Sequence, residues 1–595
     1  MDKQPDRLGP LWFFFKQYKL QVLILVVSYL AVGALEAATV ALVYPILTAA
    51  FEGGLARDNI VLSLFSTMAN LLPVADKFIA YCLLFLILAI MAFMVKFWSI
   101  RYKNLFSGRL VENSQKDIFR KFIQADYQYF IDHKQGELVY NTTTAPLGLQ
   151  TLISSATDFL AQVILSISVF LLLLSLSWQG TLAVLLMGLA YYFFTGYLAQ
   201  KVSYSSGKAQ LEAGRESNIV LAETIGGIKQ LKVFVAAEDW LNRFARIIKS
   251  GWYHYIRLCI WQQTLNPILI FILYIFVGVI AIIIRALDPG SFSALIPVFG
   301  TFAFAVFRLV PLVGGISSDM LSVTAALPNC EIVYQTLRQK LTNIEDGNKE
   351  LDSFKSRIEF DNVSFGYPGR EKVLEGITIT FEKGKTTAVV GRSGSGKTTI
   401  VNLLLRLFDV DGGEIKIDGV NIKQYKTASW LSKIGFVSED TFIFNNTIRN
   451  NITFGSTYSE EQMITAAKYA DAHSFIIKLP DGYDTLVGDK GMRLSAGQRQ
   501  RIAVARAMIR SPQILIFDEA TNALDNISES AVQKAIDEIA RDHTVIIIAH
   551  RLSTIENADK IIVLGDRRVL EEGTHEELMA KGGTYYNLYM PKSAR

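Results

Sequence analysis

Long apolar runs separated by basic, helically patterned stretches fill the first half of the chain, while everything after about Asn343 breaks into short runs that read as an ordinary soluble α/β domain. A membrane span needs about 20 mostly apolar residues, since each adds about 1.5 Å to a hydrocarbon core about 30 Å thick. Six runs meet that requirement, at roughly 20–50, 78–100, 152–177, 180–200, 264–285 and 291–313. The third and fourth are separated only by a turn at Trp178, Gln179 and Gly180, and the last two by a turn at Asp288, Pro289 and Gly290. One or two such runs could be buried helices of a soluble protein, but six could not.

The polar stretches between the runs sort by charge. Arg101, Lys103, Arg109, Lys116, Arg120, Lys121 and Lys134 lie between spans two and three; Lys201, Lys208, Arg215, Lys229, Lys232, Arg243, Arg246, Lys249 and Arg257 lie between four and five. The opposite connections carry few, Arg57 and Lys77 in one and none in the Trp178 turn. The positive-inside rule therefore puts the long basic loops, the N-terminus and the C-terminal domain in the cytoplasm. The helical pattern continues through those loops, so the spans are expected to extend well beyond the membrane. Leu11 to Leu20, aromatic and basic, suits a helix lying on the membrane surface, and no cleavable signal peptide is read there.

Composition agrees with this layout and adds exclusions. At 595 residues, 51% hydrophobic and 19% charged, with mean hydropathy +0.29, the chain is too long for one core and too apolar for a wholly soluble protein. The net charge of +4 is spread over loops rather than gathered on one face, so no nucleic-acid partner is expected. Cys82, Cys259 and Cys330 have no metal-binding or redox spacing.

The second half carries the chemistry. Ile358 to Phe365 alternates like a strand, and the short apolar run Thr386 to Val390 leads into Gly391, Arg392, Ser393, Gly394, Ser395, Gly396, Lys397, Thr398 and Thr399, followed by a helical pattern. Strand, glycine-rich turn and helix together make a P-loop. Backbone N–H groups curl around phosphates, and the helix N-terminus favours their charge. Lys397 is placed to reach the β- and γ-phosphates of ATP, and the Thr398 hydroxyl to ligate Mg²⁺. A second buried run, Ile514 to Phe517, ends in Asp518 and Glu519. Asp518 is expected to hold Mg²⁺ and Glu519 to polarise the attacking water as general base. A third, Val545 to Ala549, ends at His550, which in that setting reads as a sensor of the γ-phosphate.

Leu494, Ser495, Ala496, Gly497, Gln498, Arg499, Gln500 and Arg501 resemble the signature motif of the ATP-binding cassette (ABC) transporter family, usually LSGGQ. The order of elements over about 355–590 then resembles that family's ATPase domain. By this resemblance Tyr367 is the aromatic that stacks on adenine, Leu524 and Asp525 belong to the D-loop, and Gly488 to Gly491 form the exporter-specific loop. Three positions depart from the family pattern. Glu439 stands where Gln is usual, Ala496 replaces a glycine, and Asn522 stands where Ser is common. Glu439 could approach Mg²⁺ or the attacking water. A methyl at Ala496 is tolerable if φ is negative.

The resemblance implies an exporter-type half-transporter: a polytopic α-helical membrane domain with six transmembrane helices and cytoplasmic coupling loops over 1–340, fused to an α/β P-loop nucleotide-binding domain over 341–595. In this family one domain's P-loop and the other's signature motif sandwich each ATP, so one copy of each implies a dimer, most simply a homodimer. Phe122 to Glu137 and Leu221 to Glu238 resemble the coupling segments.

Charged residues inside spans mark pathways by default. Glu36 and Arg308 are the candidates for substrate contact, with structural pairing as the plainer reading; Lys96, Arg101 and Arg285 could snorkel to the interface. LEAATVALVYPILTAAF and the segment from Phe307 to Gln339 resemble bacterial flippases for lipid-linked oligosaccharides, which also carry a short external helix where Ile60 to Leu72 stands here. A lipid-linked or similar amphipathic substrate in a bacterial-type cytoplasmic membrane is therefore expected. The alternatives are a multidrug, lipid or peptide exporter and, outside pumping, an ATP-gated channel or regulatory subunit. The intact Glu519 argues against the last class.

Overall fold

The computed structural model describes residues 18–50, 60–176, 199–287, 296–340, 344–518, 526–548 and 555–590, with scattered positions between 9 and 16 and between 181 and 197. The chain divides into two units. One comprises Met1–Ala125 and Tyr129–Leu341; the other comprises Asp126–Gln128 and Thr342–Arg595.

The first unit is helical: α1 (Lys19–Ala50), α2 (Ile60–Asn70), α3 (Lys77–Gln124), α4 (Gln135–Thr143), α5 (Leu147–Leu176), α6 (Tyr204–Gly226), α7 (Ala237–Leu287) and α8 (Ile296–Arg338). Four stretches among the described residues are long and apolar enough to cross a membrane: Lys19–Leu47, Lys77–Gln124, Gln135–Leu171 and Val306–Arg338. They overlap the first, second, third and, from Val306 on, the sixth expected spans. The fifth forms the last part of α7, where many side chains lie outside the described residues. Most of the fourth lies outside them too, as do the turns at Trp178 and Asp288 and most of the N-terminal surface helix. The 48 residues of α3 span about 72 Å at 1.5 Å each, more than twice the hydrocarbon core. The extension beyond the membrane read from the loop pattern is therefore present. The helix α2 occupies the place of the expected external helix.

The helix that holds the last span continues beyond it: α8 runs on from the span's expected end near 313 to Arg338, through Pro311 and Pro328. Proline removes one backbone donor, but in a packed bundle neighbouring groups re-satisfy the freed carbonyl and the helix persists. A core of Phe106, Leu110, Ile118, Leu149, Leu152, Leu327 and Val333 ties the helices together. Gly207 lets α6 approach α8 closely, since a Cβ there would sit 2.2 Å from the Ala325 carbonyl oxygen. Large apolar side chains such as Ile90, Met94, Phe97 and Phe271 point outward and stay exposed, as a surface in contact with lipid tails requires.

The second unit is built on two sheets. Strands β1 (Arg357–Gly366), β2 (Lys372–Glu382), β4 (Gly412–Ile417) and β5 (Val420–Asn421) form an antiparallel sheet in the order β2-β1-β4-β5. The larger sheet runs β10 (Arg568–Gly573), β9 (Lys560–Gly565), β3 (Thr386–Gly391), β8 (Thr544–Ile548), β7 (Ile514–Asp518), β6 (Ile434–Val437). All its pairs are parallel except the β9–β10 hairpin. The central strands β7 and β8 are buried at every position, which explains their continuous apolar sequences.

Where this unit begins, the chain is clamped. The buried Arg406 guanidinium donates to the carbonyls of Glu345 (2.5 Å) and Tyr425 (3.1 Å) and to the Thr427 hydroxyl (2.9 Å). Asp346 accepts from the Thr427 N–H at 2.5 Å. That hydrogen bond, foremost among the causes, holds the Asp346 carboxyl below its ordinary value of 3.8.

Candidate ATP site and membrane cavity

Parallel order explains how residues far apart in sequence reach one edge. β3 lies between β9 and β8, β8 next to β7, and β7 next to β6. Their C-terminal ends lead, respectively, into the glycine-rich loop, toward His550, to Asp518 and Glu519, and to Glu439. Ligands in such sheets bind beyond the carboxyl ends of the strands. Asp518 is the last residue of β7, buried and paired in register with Ile548. Glu519, Asn522, Asp525 and His550 lie outside the described residues.

The loop after β3 is shaped by its glycines. Gly396 adopts φ +99°, and a Cβ there would lie 2.6 Å from Leu374 Cδ2, so no other residue fits without strain. The helix α9 (Lys397–Leu404) starts immediately after it. Lys397 is buried and its ammonium donates to the Gly391 carbonyl at 3.0 Å and the Arg392 carbonyl at 3.3 Å, which curls the loop around its own cation. Ser393, Gly394 and Thr398 are exposed at the rim, and Gly391 and Ser395 are half-buried. The Thr399 side chain is buried within hydrogen-bonding distance of the Tyr367 hydroxyl at 3.2 Å, so only its backbone is available to a ligand. Asn402 donates to the same hydroxyl at 3.2 Å. The Tyr367 ring meets Phe365 and Phe408 edge-on, with centroids at 5.1 and 5.3 Å. These contacts fix the ring beside the start of α9. Within the same unit Tyr127 meets Phe408 edge-on, with centroids at 6.0 Å.

The helix α10 (Ala496–Met508) begins at the signature motif. Ser495 caps it, accepting from the Gln498 N–H at 3.2 Å, while the Gln498 carboxamide accepts from the Ser495 N–H at 2.9 Å. This reciprocal capping box occupies acceptors on both side chains. It leaves the Ser495 O–H and the helix dipole to face a ligand. Ala496 is the first helical residue and has negative φ, so its methyl meets the condition set for replacing a glycine. Gly497 is buried one residue on.

Glu439 is exposed on a turn just beyond β6. Gln500, buried on α10, holds that turn: it donates to the Ser438 carbonyl at 3.4 Å and accepts from the Thr441 hydroxyl at 2.8 Å. Sequence reading gave Gln500 no role. It shares a helix face with the buried Ala503, Val504 and Ala507, and a polar residue on a buried face is the signal that could have marked it. Nearby Arg506 bonds Asn451 O (2.7 Å), Asn451 Oδ1 (3.0 Å) and Phe442 O (2.9 Å). Burial pushes its guanidinium down to about 10, still charged at neutral pH.

In the helical unit, Glu36 and Arg308 come together. Arg308 Nη2 stands 2.7 Å from Glu36 Oε2, and Lys96 Nζ stands 3.4 Å from Glu36 Oε1. One buried carboxylate thus bridges two cations from α3 and α8. Lys96 therefore faces this cluster rather than simply snorkelling; Arg101 is exposed, and the Arg285 side chain lies outside the described residues. The three charges line a cavity of about 730 Å³ with Phe85, Phe93, Phe307 and Gln162. Glu36 and Arg308 form an ion pair, the plainer reading, and the pair lines a cavity.

Comparison with known proteins places these features in a family. Residues 374–522 match the ABC transporter model, and residues 22–306 match the ABC transporter transmembrane region. The ATP-dependent lipid A-core flippase of Methylobacillus flagellatus is 36% identical, over 81% of this chain and 82% of its own length. Its namesake from Vibrio vulnificus is 32% identical over 97% and 96%. The heterocyst differentiation ATP-binding protein HepA of a Nostoc species is 33% identical over 82% and 81%. A solved bacterial Atm1-family ABC exporter with ATP bound shares the fold, with TM-score 0.77 over 97% of this chain and 99% of that one, at 24% identity. The chain belongs to the ABC transporter family, as a multi-pass membrane exporter that couples ATP hydrolysis to the export or flipping of an amphipathic substrate.

Proposed function

We propose that the protein is a homodimeric flippase for a lipid-linked oligosaccharide with an anionic, phosphate-type headgroup. It works in a bacterial cytoplasmic membrane, with the N-terminus, basic loops and ATPase unit on the cytoplasmic side. The observation that carries the reading is the cavity in which Arg308 and Lys96 meet a single carboxylate, Glu36, among aromatic side chains. Two cations against one anion leave the cavity net positive. Arg is suited to grip a phosphate through parallel hydrogen bonds. The aromatic lining gives the apolar part of an amphipathic molecule a surface. Relatives named lipid A-core flippases support a lipid cargo.

At the ATPase end, Gly391, Ser393, Gly394, Ser395, Gly396 and the α9 N-terminus cradle the phosphates, Lys397 neutralises them, and Tyr367 stacks on adenine. The oxygen donors Thr398, Asp518 and Glu439 suit Mg²⁺, which takes oxygen ligands and supplies charge neutralisation to phosphates. Glu519 orients and deprotonates the attacking water, and His550 senses the γ-phosphate. Ser495, Ala496, Gly497 and Gln498 of one copy cover the nucleotide held by the other copy, and Asp525 contributes as the D-loop residue. Closure of the paired ATPase units then turns the cavity outward, and hydrolysis resets it.

The test is flipping of a polyprenyl-pyrophosphate glycan by Arg308→Ala protein in proteoliposomes. The reading predicts a loss of at least tenfold with ATP binding intact; normal flipping would remove Arg308 from headgroup recognition.

A further inference from the structure

We propose that Glu36 is an internal substitute for the substrate's anion and sets the selectivity of the cavity. It occupies Arg308 when the carrier is empty and is handed to Lys96 when a headgroup arrives. This rests on the headgroup reading above and adds to it a mechanism of exchange.

The geometry is that of a shared carboxylate. The two oxygens of Glu36 face different cations on different helices, Arg308 at 2.7 Å and Lys96 at 3.4 Å. The carboxylate is 9% exposed, while the Arg308 and Lys96 side chains are 47% and 49% exposed. The anion is thus largely buried, while the two cations, which line the cavity with it, keep about half of their side-chain surface accessible. A headgroup approaching Arg308 meets a guanidinium whose near partner is already an anion. It must take over a charge-assisted hydrogen bond of ordinary strength. Were Lys96 absent, that exchange would strand a carboxylate in a buried site, a strongly unfavourable outcome. With Lys96 on the other oxygen, Glu36 keeps a counter-charge throughout.

Two consequences follow for selectivity. A neutral amphiphile cannot displace Glu36, so the Arg308–Glu36 pair stays closed. A weakly charged headgroup competes poorly with a pre-positioned carboxylate, whereas a pyrophosphate, with more charge and more acceptor oxygens, competes well. Glu36 therefore raises the charge threshold for entry and lowers affinity for every anion that enters.

The experiment measures ATPase stimulation in phosphatidylcholine nanodiscs, titrating a polyprenyl-pyrophosphate disaccharide, the corresponding monophosphate, and the uncharged polyprenyl disaccharide. Wild type, Glu36→Gln, Lys96→Ala, Arg308→Ala and Glu36→Gln/Arg308→Ala proteins are compared, with folding checked by thermal melting and size-exclusion chromatography. For Glu36→Gln the half-stimulating concentration of the pyrophosphate should fall about tenfold, the effect of removing one charged competitor. The monophosphate should become an effective stimulator. Lys96→Ala should shift the pyrophosphate curve the opposite way, and the tightening by Glu36→Gln should vanish in the Arg308→Ala background. A purely structural ion pair would instead weaken stimulation in both single variants, and that result, or an unchanged Glu36→Gln curve, overturns the proposal. Absence of any stimulation of wild type by either phosphate would overturn the headgroup reading itself, which separates the two failures.

Discussion

The Thr441 hydroxyl donates to the buried Gln500 carboxamide at 2.8 Å, tying the helix that starts at the signature motif to the turn that carries Glu439. Both elements belong to the proposed ATP site, and this bond fixes their spacing. Gln500→Leu removes the acceptor and the bond to Ser438. The loss of a buried hydrogen bond should destabilise the unit by about 1–3 kcal/mol. Turnover should fall several-fold with little change in KM for ATP, because the phosphate cradle is untouched. Thermal melting together with steady-state ATPase kinetics checks both outcomes, and Thr441→Val should reproduce a milder version.

Gly396→Ala should abolish nucleotide binding rather than merely slow hydrolysis. Its φ of +99° and the 2.6 Å approach to Leu374 Cδ2 leave no room for a methyl without deforming the loop, at a penalty of about 1–3 kcal/mol. Fluorescent ATP-analogue binding to the variant should be undetectable at concentrations that saturate wild type. Ser393→Ala, at the exposed rim, should bind nearly normally.

Glu519→Gln should retain ATP binding and lose hydrolysis by about 10²–10⁴-fold, the range expected for removing a general base. Single-turnover measurements distinguish this from a binding defect. Glu439→Gln is the milder counterpart. Removing a negative charge beside the phosphates should alter turnover and Mg²⁺ dependence, and an unchanged profile in both would show that Glu439 is a tolerated variant.

The clamp on the start of the ATPase unit makes a pH prediction. The Asp346 carboxyl is held below 3.8 in the folded protein, chiefly by the Thr427 N–H. A depressed carboxylate contributes stability above its unfolded pKa and loses it as pH falls through the folded value. Wild type should therefore lose melting temperature more steeply below about pH 4 than Asp346→Asn does. The variant should already be the less stable of the two at pH 7.

Much of this architecture was legible in the sequence because it depends on local pattern. A run of twenty apolar residues can hardly be anything but a span, and β7 and β8 are so completely buried that their sequences carry no polar interruption. The P-loop was readable for a similar reason: Gly396 needs a backbone conformation that side chains resist. What escaped were pairings across elements. Lys96 was seen as a charge near a span end, but Glu36 lies 60 positions away, and no helical periodicity reports the relative rotation of two helices. Gln500 and Thr441, 59 positions apart, are invisible for the same reason. The extent of α8 past its membrane span is likewise set by packing, since Pro311 and Pro328 are tolerated inside a bundle.

The central claim is ATP-driven flipping of a lipid-linked saccharide, and the direct measurement is transbilayer movement in proteoliposomes. Purified protein would be reconstituted with a fluorescently labelled polyprenyl-pyrophosphate oligosaccharide, alongside a neutral glycolipid and a cationic drug, and leaflet exposure followed with a membrane-impermeant quencher. The account predicts that Mg²⁺ and ATP together move the pyrophosphate-linked glycan at least several-fold faster than the other two cargoes. That movement should stop with the Glu519→Gln variant. Equal movement of all three cargoes, or movement of the glycan that continues without hydrolysis, would contradict it.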